Sequence, residues 1–330
     1  MKVLGIDIGG ANLKAAFAQG YASEVSFALW RQPERLLSEL EQLIDGAPGC
    51  DALAITMTGE LADCYASKQQ GVAAIVAAVE QAADGKPTAY YSFDGFVDSQ
   101  TAVDAWQNVA AANWHALATA AFAQLDGDGV LIDVGSTTTD IVAVQQGRVV
   151  EGARTDIQRL SSGGLLYQGV RRTPICAVAD RLPYRGRICP VAAEYFATSA
   201  DVYLLLGKIP PNAHTETADG RPLNRDSAII RLGRMLCTDK SEFNESDALA
   251  LAQAVDQRMK ERLAERLSDL TVSGYLLSGT GAWFAREVVE SLGTGTRLSE
   301  LSEFIGQPAS GCGPAWAVAT LSSDTLFNLK

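Results

Sequence analysis

Two short stretches place carboxylates, glycines and small polar residues at matching spacing in distant parts of the chain: Asp7-Ile-Gly-Gly-Ala-Asn-Leu-Lys14 and Asp133-Val-Gly-Ser-Thr-Thr-Thr-Asp140. The chemistry such a pair supports is phosphate handling. Glycine lets backbone amides approach phosphate oxygens with no Cβ in the way and tolerates positive-φ turns. Gly9, Gly10 and Asn12 in one copy, and Gly135, Ser136, Thr137 and Thr138 in the other, are therefore candidate phosphate contacts. Asp7 and Asp133, converging on one cleft, would raise each other's pKa unless a cation lay between them. Magnesium (Mg2+) suits that position, because it binds through one or two carboxylates plus substrate phosphates and keeps several waters. Superposing the copies puts Lys14 on Asp140. The lysine suits a phosphate oxygen and the aspartate a metal, so the copies are alike in shape but not in role. The competing reading is that each aspartate merely closes its turn by accepting from nearby amides.

The chain has 39 acidic and 27 basic side chains, a formal net charge of -12, yet it gathers five arginines between 171 and 187: Arg171, Arg172, Arg181, Arg185 and Arg187. Arginine forks match carboxylates and phosphates in two-point contacts, which makes Arg171, Arg172 and Arg185 candidate substrate contacts. Ion pairing with the surplus acids is the alternative. Leu277-Ser-Gly-Thr-Gly281 forms a third Gly-rich turn, and its Gly279 and Gly281 suit a nucleotide loop as well as a structural strand-to-helix turn. The six cysteines lie far apart with no Cys-x-x-Cys, and His115 and His214 are the only histidines. That composition disfavours zinc and a disulfide framework. His115 reads as a packed residue. The acidic surface argues against nucleic acid as a partner. The most apolar run near helix length, 71–79, is far shorter than the ~20 residues a bilayer crossing needs. With a strand beginning at once after Met1, a cytoplasmic protein without a membrane partner is expected.

These residues must be held by regular elements. Each copy is entered by an apolar β-type run, Val3-Leu-Gly-Ile6 or Val130-Leu-Ile132, and reads as strand, tight turn, strand. The aspartates lie 133 - 7 = 126 residues apart, about one domain length, so the repeat marks equivalent points in two lobes. These are expected at 1–127 and 128–330. Helical spacing over 36–44 and 73–83 alternates with strand-like runs at 52–56 and 88–92, as in an α/β layer fold. An alanine-rich helix is expected over 108–123, a long amphipathic helix over 247–267 with Ser246 as N-cap, a strand at 274–278 with a helix from Ala282, and a small-residue helix over 314–321. Small side chains there suit close helix crossing at a hinge, or simply good helix formation. Residues 151–245 are less regular and read as an insertion carrying substrate contacts.

The two clamps, the third loop and the two small-residue helices resemble the superfamily of actin, sugar kinases and heat-shock chaperones. More narrowly, Asp7-Ile-Gly-Gly-Ala-Asn12 with Lys14, Met57-Thr-Gly-Glu-Leu61, Ala111-Ala-Asn-Trp114, Gly135-Ser-Thr-Thr-Thr-Asp140, Arg172-Thr-Pro174 and Ala218-Asp-Gly-Arg-Pro222 are similar to the hydantoinase A-related family of tetrahydromethanopterin-linked C1-transfer proteins. The resemblance implies a two-lobed actin-like (ribonuclease H-like) α/β fold with a duplicated β-hairpin phosphate clamp. It also implies an ether synthase of methanofuran-type biosynthesis, joining a furanylmethyl diphosphate to the phenol of a glutamyl-tyramine and releasing pyrophosphate. Small-molecule diphosphate and phenolic amine substrates are then the expected partners, with Lys14 and magnesium on the leaving group and Glu60 as the base that takes the phenol proton. A solvated carboxylate at a helix start is the alternative for Glu60. An ATP-dependent small-molecule kinase and a nucleotide-gated regulatory protein of the same superfamily are the competing functions. No Walker sequence is present, which excludes a P-loop enzyme.

Overall fold

The computed structural model describes residues 1–125, 128–150, 152–212, 217–268, 270 and 272–322. The first lobe opens with a hairpin, β1 (Val3–Ile8) and β2 (Asn12–Ala16), continued by β3 (Ala22–Ser26). Next come α1 (Leu36–Asp45), β4 (Ala52–Met57), α2 (Lys68–Ala82), β5 (Thr88–Ser92) and β6 (Gly95–Val97). The short α3 (Ser99–Asp104) and α4 (Trp106–Val109) lead to α5 (Asn113–Leu125). The strands lie in the order β3-β2-β1-β4-β5-β6, with β1, β4 and β5 parallel.

The second lobe repeats the plan. Its hairpin is β7 (Gly129–Val134) and β8 (Thr139–Gln145), edged by β9 (Arg148–Val149) and, after α6 (Asp156–Ser162), by β10 (Leu165–Leu166). Then follow α7 (Ile175–Val178), a separate hairpin of β11 (Arg181–Tyr184) and β12 (Arg187–Pro190), α8 (Ser199–Leu205), α9 (Arg225–Arg234) and α10 (Glu245–Ser268). The parallel strands β13 (Gly274–Ser278) and β14 (Arg297–Glu300) flank α11 (Ala282–Ser291) and give the order β10-β8-β7-β13-β14. Helices α12 (Ser302–Ile305), α13 (Gln307–Gly311) and α14 (Gly313–Ser322) complete the described chain. Two sheets of one order, each a hairpin extended by parallel strands, make the expected two-lobed actin-like α/β fold. Among the described residues no helix is long and apolar enough to cross a membrane.

Packing explains the sequence at several points. Strands β1 and β4 are buried at every position, which is why they read as nearly unbroken apolar runs. Helix α14 lies directly on β1: a Cβ at Gly5 would overlap the Ala315 carbonyl oxygen. Its Ala315 and Ala317 are buried in one core with Ala116, Leu117 and Ala120 of α5, so the small side chains serve close approach. Three local expectations change. The alanine-rich helix does not begin at 108, because Ala111 takes a φ of 52° and separates α4 from α5. Helix α10 begins at Glu245, which puts Ser246 inside the first turn; Asn244 is the cap, its Oδ1 accepting from the Asp247 N–H and its own N–H donating to the Asp247 carboxylate, both at 3.0 Å. Finally, the segment 151–245 contributes Val170, Ile175, Val202 and Leu232 to the second lobe's core. His214 lies outside the described residues.

Candidate functional site

In register, β1–β2 pairs Asp7 with Lys14 and β7–β8 pairs Asp133 with Asp140, so Lys14 and Asp140 occupy equivalent places. Each turn closes with the same bond: the Gly9 N–H donates to the Asn12 carbonyl at 3.0 Å, and the Gly135 N–H to the Thr138 carbonyl at 2.9 Å. The turn carbonyls are occupied from outside. Leu29 and Phe27 donate to Gly10 and Ala11; Val170 donates to Gly135, and Arg171 and Arg172 both donate to Ser136. The N–H groups of Gly10, Ala11, Ser136 and Thr137 are left without an acceptor among the described residues. Successive free amides of this kind form a nest for anions. A Cβ on Gly9 would come within 2.9 Å of the Asn12 carbonyl, whereas a Cβ on Gly10 would meet nothing within 4 Å. No protein packing therefore requires glycine at position 10; a side chain there would intrude only on the space before the amides.

Behind the nests, the central strands carry matched trios. Asp7 on β1 is flanked in register by Lys14 on β2 and Thr56 on β4; Asp133 on β7 is flanked by Asp140 on β8 and Ser278 on β13. Asp7 is only 7% exposed, and neither its Oδ1 nor the Thr56 hydroxyl has a hydrogen-bond partner among the described residues. Burial pushes the Asp7 carboxyl up to about 7 and that of Asp133 up to about 6. Lys14 opposes both shifts and Asp133 adds to that of Asp7, which places the two carboxylates within electrostatic reach across the lobes. The Lys14 ammonium donates to the Gly311 carbonyl at 2.8 Å and lies 3.7 Å from Glu24. Burial pulls it down, but Glu24 and Asp7 outweigh burial and hold it above the ordinary lysine value.

The residues present are compatible with a cation held by Asp7 and Asp133: Asp7 is buried with one orphan oxygen, and Asp133 is half-buried. No three His, Cys, Asp or Glu side chains among the described residues converge as a ligand set. The protein would thus supply at most two carboxylates and leave the remaining positions to phosphate oxygens and water, a donor set suited to magnesium. Asp140, expected as a metal ligand, is instead paired with Arg159 at 2.8 Å, and both are buried. The Arg159 guanidinium also stacks on Trp114, 4.0 Å from the ring centroid.

Glu60 sits in a 3-10 turn directly after β4 and is 1% exposed, not a solvated helix start. Gly59 lets this turn lie against Ile8 and Gly9 of the first clamp, and Gly71 lets α2 lie against the Glu60 backbone; a Cβ at Gly71 would overlap the Glu60 carbonyl. Glu60 Oε2 has no partner among the described residues, and Lys68 stands 3.9 Å from Oε1. Burial pushes the carboxyl up to about 7; Lys68 acts against the shift, and Asp156 and Asp7 act with it. Lys68 also reaches Asp156 of the opposite lobe at 2.6 Å.

The arginine cluster divides. Arg171 and Arg172 are fastened by their own amides to the second clamp turn, and the Arg172 guanidinium lies 4.7 Å from the Trp30 ring centroid in the first lobe. Arg185, expected to bind substrate, turns elsewhere: it pairs with Asp247 at 3.0 Å and donates to the Glu242 carbonyl, holding the β11–β12 hairpin against α10. In the third loop, Gly279 has a φ of +84°, and a Cβ there would come 2.7 Å from Asp133 Oδ1. Gly281 donates its N–H to Val134 and leaves no room for a Cβ beside the Val134 side chain. Close packing on β7 therefore accounts for both glycines. His115 is packed among Tyr91, Phe93 and Trp114, its Nδ1 2.9 Å from the Tyr91 hydroxyl.

Sequence reasoning placed Ser278 in the third loop but missed Thr56, Lys68, Arg159 and Trp30. Thr56 had a signal, being the one polar residue in the otherwise apolar β4 run. The others had none, because their partners are set by the fold rather than by neighbouring residues: Arg159 meets Asp140, Trp30 meets Arg172, and Lys68 bridges Glu60 to Asp156 of the other lobe.

Residues 51–320 match the family model described as hydantoinase/oxoprolinase. The chain is 31% identical over 328 residues, 97% of its length and 97% of the relative's, to the protein named (4-{4-[2-(gamma-L-glutamylamino)ethyl]phenoxymethyl}furan-2-yl)methanamine synthase from Methanocaldococcus jannaschii. A relative of the same name from Methanococcus vannielii is 26% identical, over 61% of this chain and 94% of its own. Among solved structures, a nucleotide-free acetone carboxylase matches with a TM-score of 0.54 at 10% identity, over 97% of this chain and 70% of that one. That likeness concerns the fold.

Proposed function

This chain belongs to the hydantoinase/oxoprolinase family and is an enzyme transferring a group other than methyl, and from that premise we propose that it joins a furanylmethyl diphosphate to the phenolic oxygen of a glutamyl-tyramine in methanofuran-type C1-carrier biosynthesis. The observation that carries the reading is the pair of nests, one from each lobe, with Asp7 buried and Asp133 half-buried behind them.

The reaction forms a bond from the phenolic oxygen to the furanylmethyl carbon and breaks the bond from that carbon to diphosphate. The breaking pair leaves with pyrophosphate, and the phenolic proton goes to a base. Such a carbon supports resonance-stabilised positive charge, so the demand on the protein is to stabilise negative charge on the leaving group. The amides of Gly10, Ala11, Ser136 and Thr137 and the Lys14 ammonium provide fixed positive ends for it. Asp7 and Asp133 would hold magnesium, which would supply further neutralisation of the diphosphate charge. Glu60 takes the proton: a carboxyl at about 7 is a stronger base than an ordinary glutamate and is still partly ionised at neutral pH.

The decisive test follows phosphorus by NMR with magnesium present. Pyrophosphate released only when furanylmethyl diphosphate and γ-glutamyltyramine are both supplied supports the synthase; ADP formed from ATP with a small-molecule acceptor would replace it with the kinase. The ATP reading draws on the same nests, but Gly279 and Gly281 add nothing to it because their packing already demands glycine.

A further inference from the structure

Arg154 and Arg159 of the second lobe each meet a carboxylate, whereas the guanidinium of Arg172, like that of its neighbour Arg171, has no carboxylate or carbonyl partner among the described residues, in a chain with a net charge of -12. Arg172 differs from Arg171 in lying on an aromatic ring of the opposite lobe. Its guanidinium lies over the face of Trp30, 4.7 Å from the ring centroid. The position of that contact is informative. Trp30 follows Leu29, whose N–H is bonded to Gly10 in the first clamp turn, and the Arg172 N–H is bonded to Ser136 in the second. The pair thus spans the lobes, one member following the residue bonded to the first clamp turn and the other bonded directly to the second. Arg172 is exposed and Trp30 half-buried, so neither is locked into a core.

We propose that Trp30 and Arg172 form a two-part gate over the nests, in which the guanidinium leaves the indole for the phosphate oxygens of an arriving organic diphosphate and the freed indole face receives the flat ring attached to it. An exposed cation–π contact is weak beside a charge-assisted, two-point hydrogen bond to phosphate, so the exchange runs towards the ligand. Ring-on-ring contact then adds a preference for diphosphates carrying an aromatic group over bare pyrophosphate. The identity of that ring as a furan rests on the synthase reading above. The gate itself requires only a diphosphate.

Calorimetry on the full chain with magnesium separates the two parts. Arg172→Met is expected to weaken both inorganic pyrophosphate and furanylmethyl diphosphate by about 10- to 100-fold, with Arg172→Lys intermediate. Trp30→Leu is expected to weaken furanylmethyl diphosphate by about 3- to 10-fold relative to pyrophosphate, with Trp30→Phe recovering most of the preference. Pyrophosphate should also change the Trp30 emission, read as the difference between wild type and Trp30→Phe, because the cation departs from the indole. The gate is overturned if pyrophosphate leaves that emission unchanged, if Arg172→Met binds pyrophosphate as tightly as wild type, or if Trp30→Leu loses the two ligands to equal extents. A wild-type protein that binds pyrophosphate with the emission change but prefers ATP to furanylmethyl diphosphate would sink the synthase reading while leaving the gate in place.

Discussion

Lys68 lies between two carboxylates of opposite lobes, and this arrangement makes a signed prediction about Glu60. The ammonium is 3.9 Å from Glu60 and 2.6 Å from Asp156. At an effective dielectric of ~20, unit charges at that first distance interact by about 4 kcal/mol. Lys68 is 24% exposed and shared with Asp156, so solvent and the second carboxylate absorb much of this. Roughly 1 to 2 kcal/mol remains, which corresponds to about one pH unit. Replacing Lys68 with Met should therefore move the acid limb of the kcat/KM profile upward by about one unit from a wild-type limb near 7. Asp156→Asn removes a negative charge that repels the Glu60 carboxylate and draws Lys68 away from it, so the limb should move down. Opposite shifts are the signature. Pyrophosphate release would be measured between about pH 5.5 and 9 at saturating magnesium, which keeps Asp7 and Asp133 ionised. Glu60→Gln should remove the limb and cost about 10²- to 10⁴-fold in rate. If both charge variants shift the limb in one direction, or neither moves it, Glu60 is not the base.

The two clamp-side glycines should respond oppositely to alanine. Gly10→Ala is expected to fold normally, with a thermal midpoint at or slightly above wild type, yet to weaken pyrophosphate binding by calorimetry, since its Cβ enters open space before the amides. Gly5→Ala should fail to fold stably, because its Cβ would collide with α14. Asp7 and Asp133 have folded-state values of about 7 and about 6 against 3.8 for an ordinary aspartate, so the stability they contribute is full below about pH 4 and is lost as pH rises through 6 to 7. Melting of the metal-free protein should fall over that window, and magnesium with pyrophosphate should restore most of the loss at pH 8. Arg159→Met leaves the Asp140 carboxylate buried without its cation and should cost about 3–5 kcal/mol in urea denaturation. An unchanged midpoint in urea would contradict that pairing.

Much of the scaffold was legible from residue order, and particular elements show why. The hairpins β1–β2 and β7–β8 follow from apolar runs interrupted by Gly-Gly and Gly-Ser, a short-range signal that needs nothing distant to interpret it. The helix α1 and strands β4, β5 and β13 were equally visible, because their periodicity reports which faces are buried. The cap of α10 was misplaced by two residues, since the reciprocal bond between Asn244 and Asp247 competes with the equally suitable Ser246.

Residue order by itself determined two equivalent clamps, the aspartate on the central strand of each, and the opposition of Lys14 to Asp140. Only the tertiary structure decided how the charges are spent: Asp140 on Arg159, Arg185 on Asp247, Lys68 between Glu60 and Asp156, and Arg172 on the face of Trp30. The physical reason is range. Strand and turn preferences are written within a few neighbouring residues, whereas the partner of a charge is whichever opposite group the fold brings within a few ångströms, and in these pairs that group lies 8 to 142 residues away along the chain.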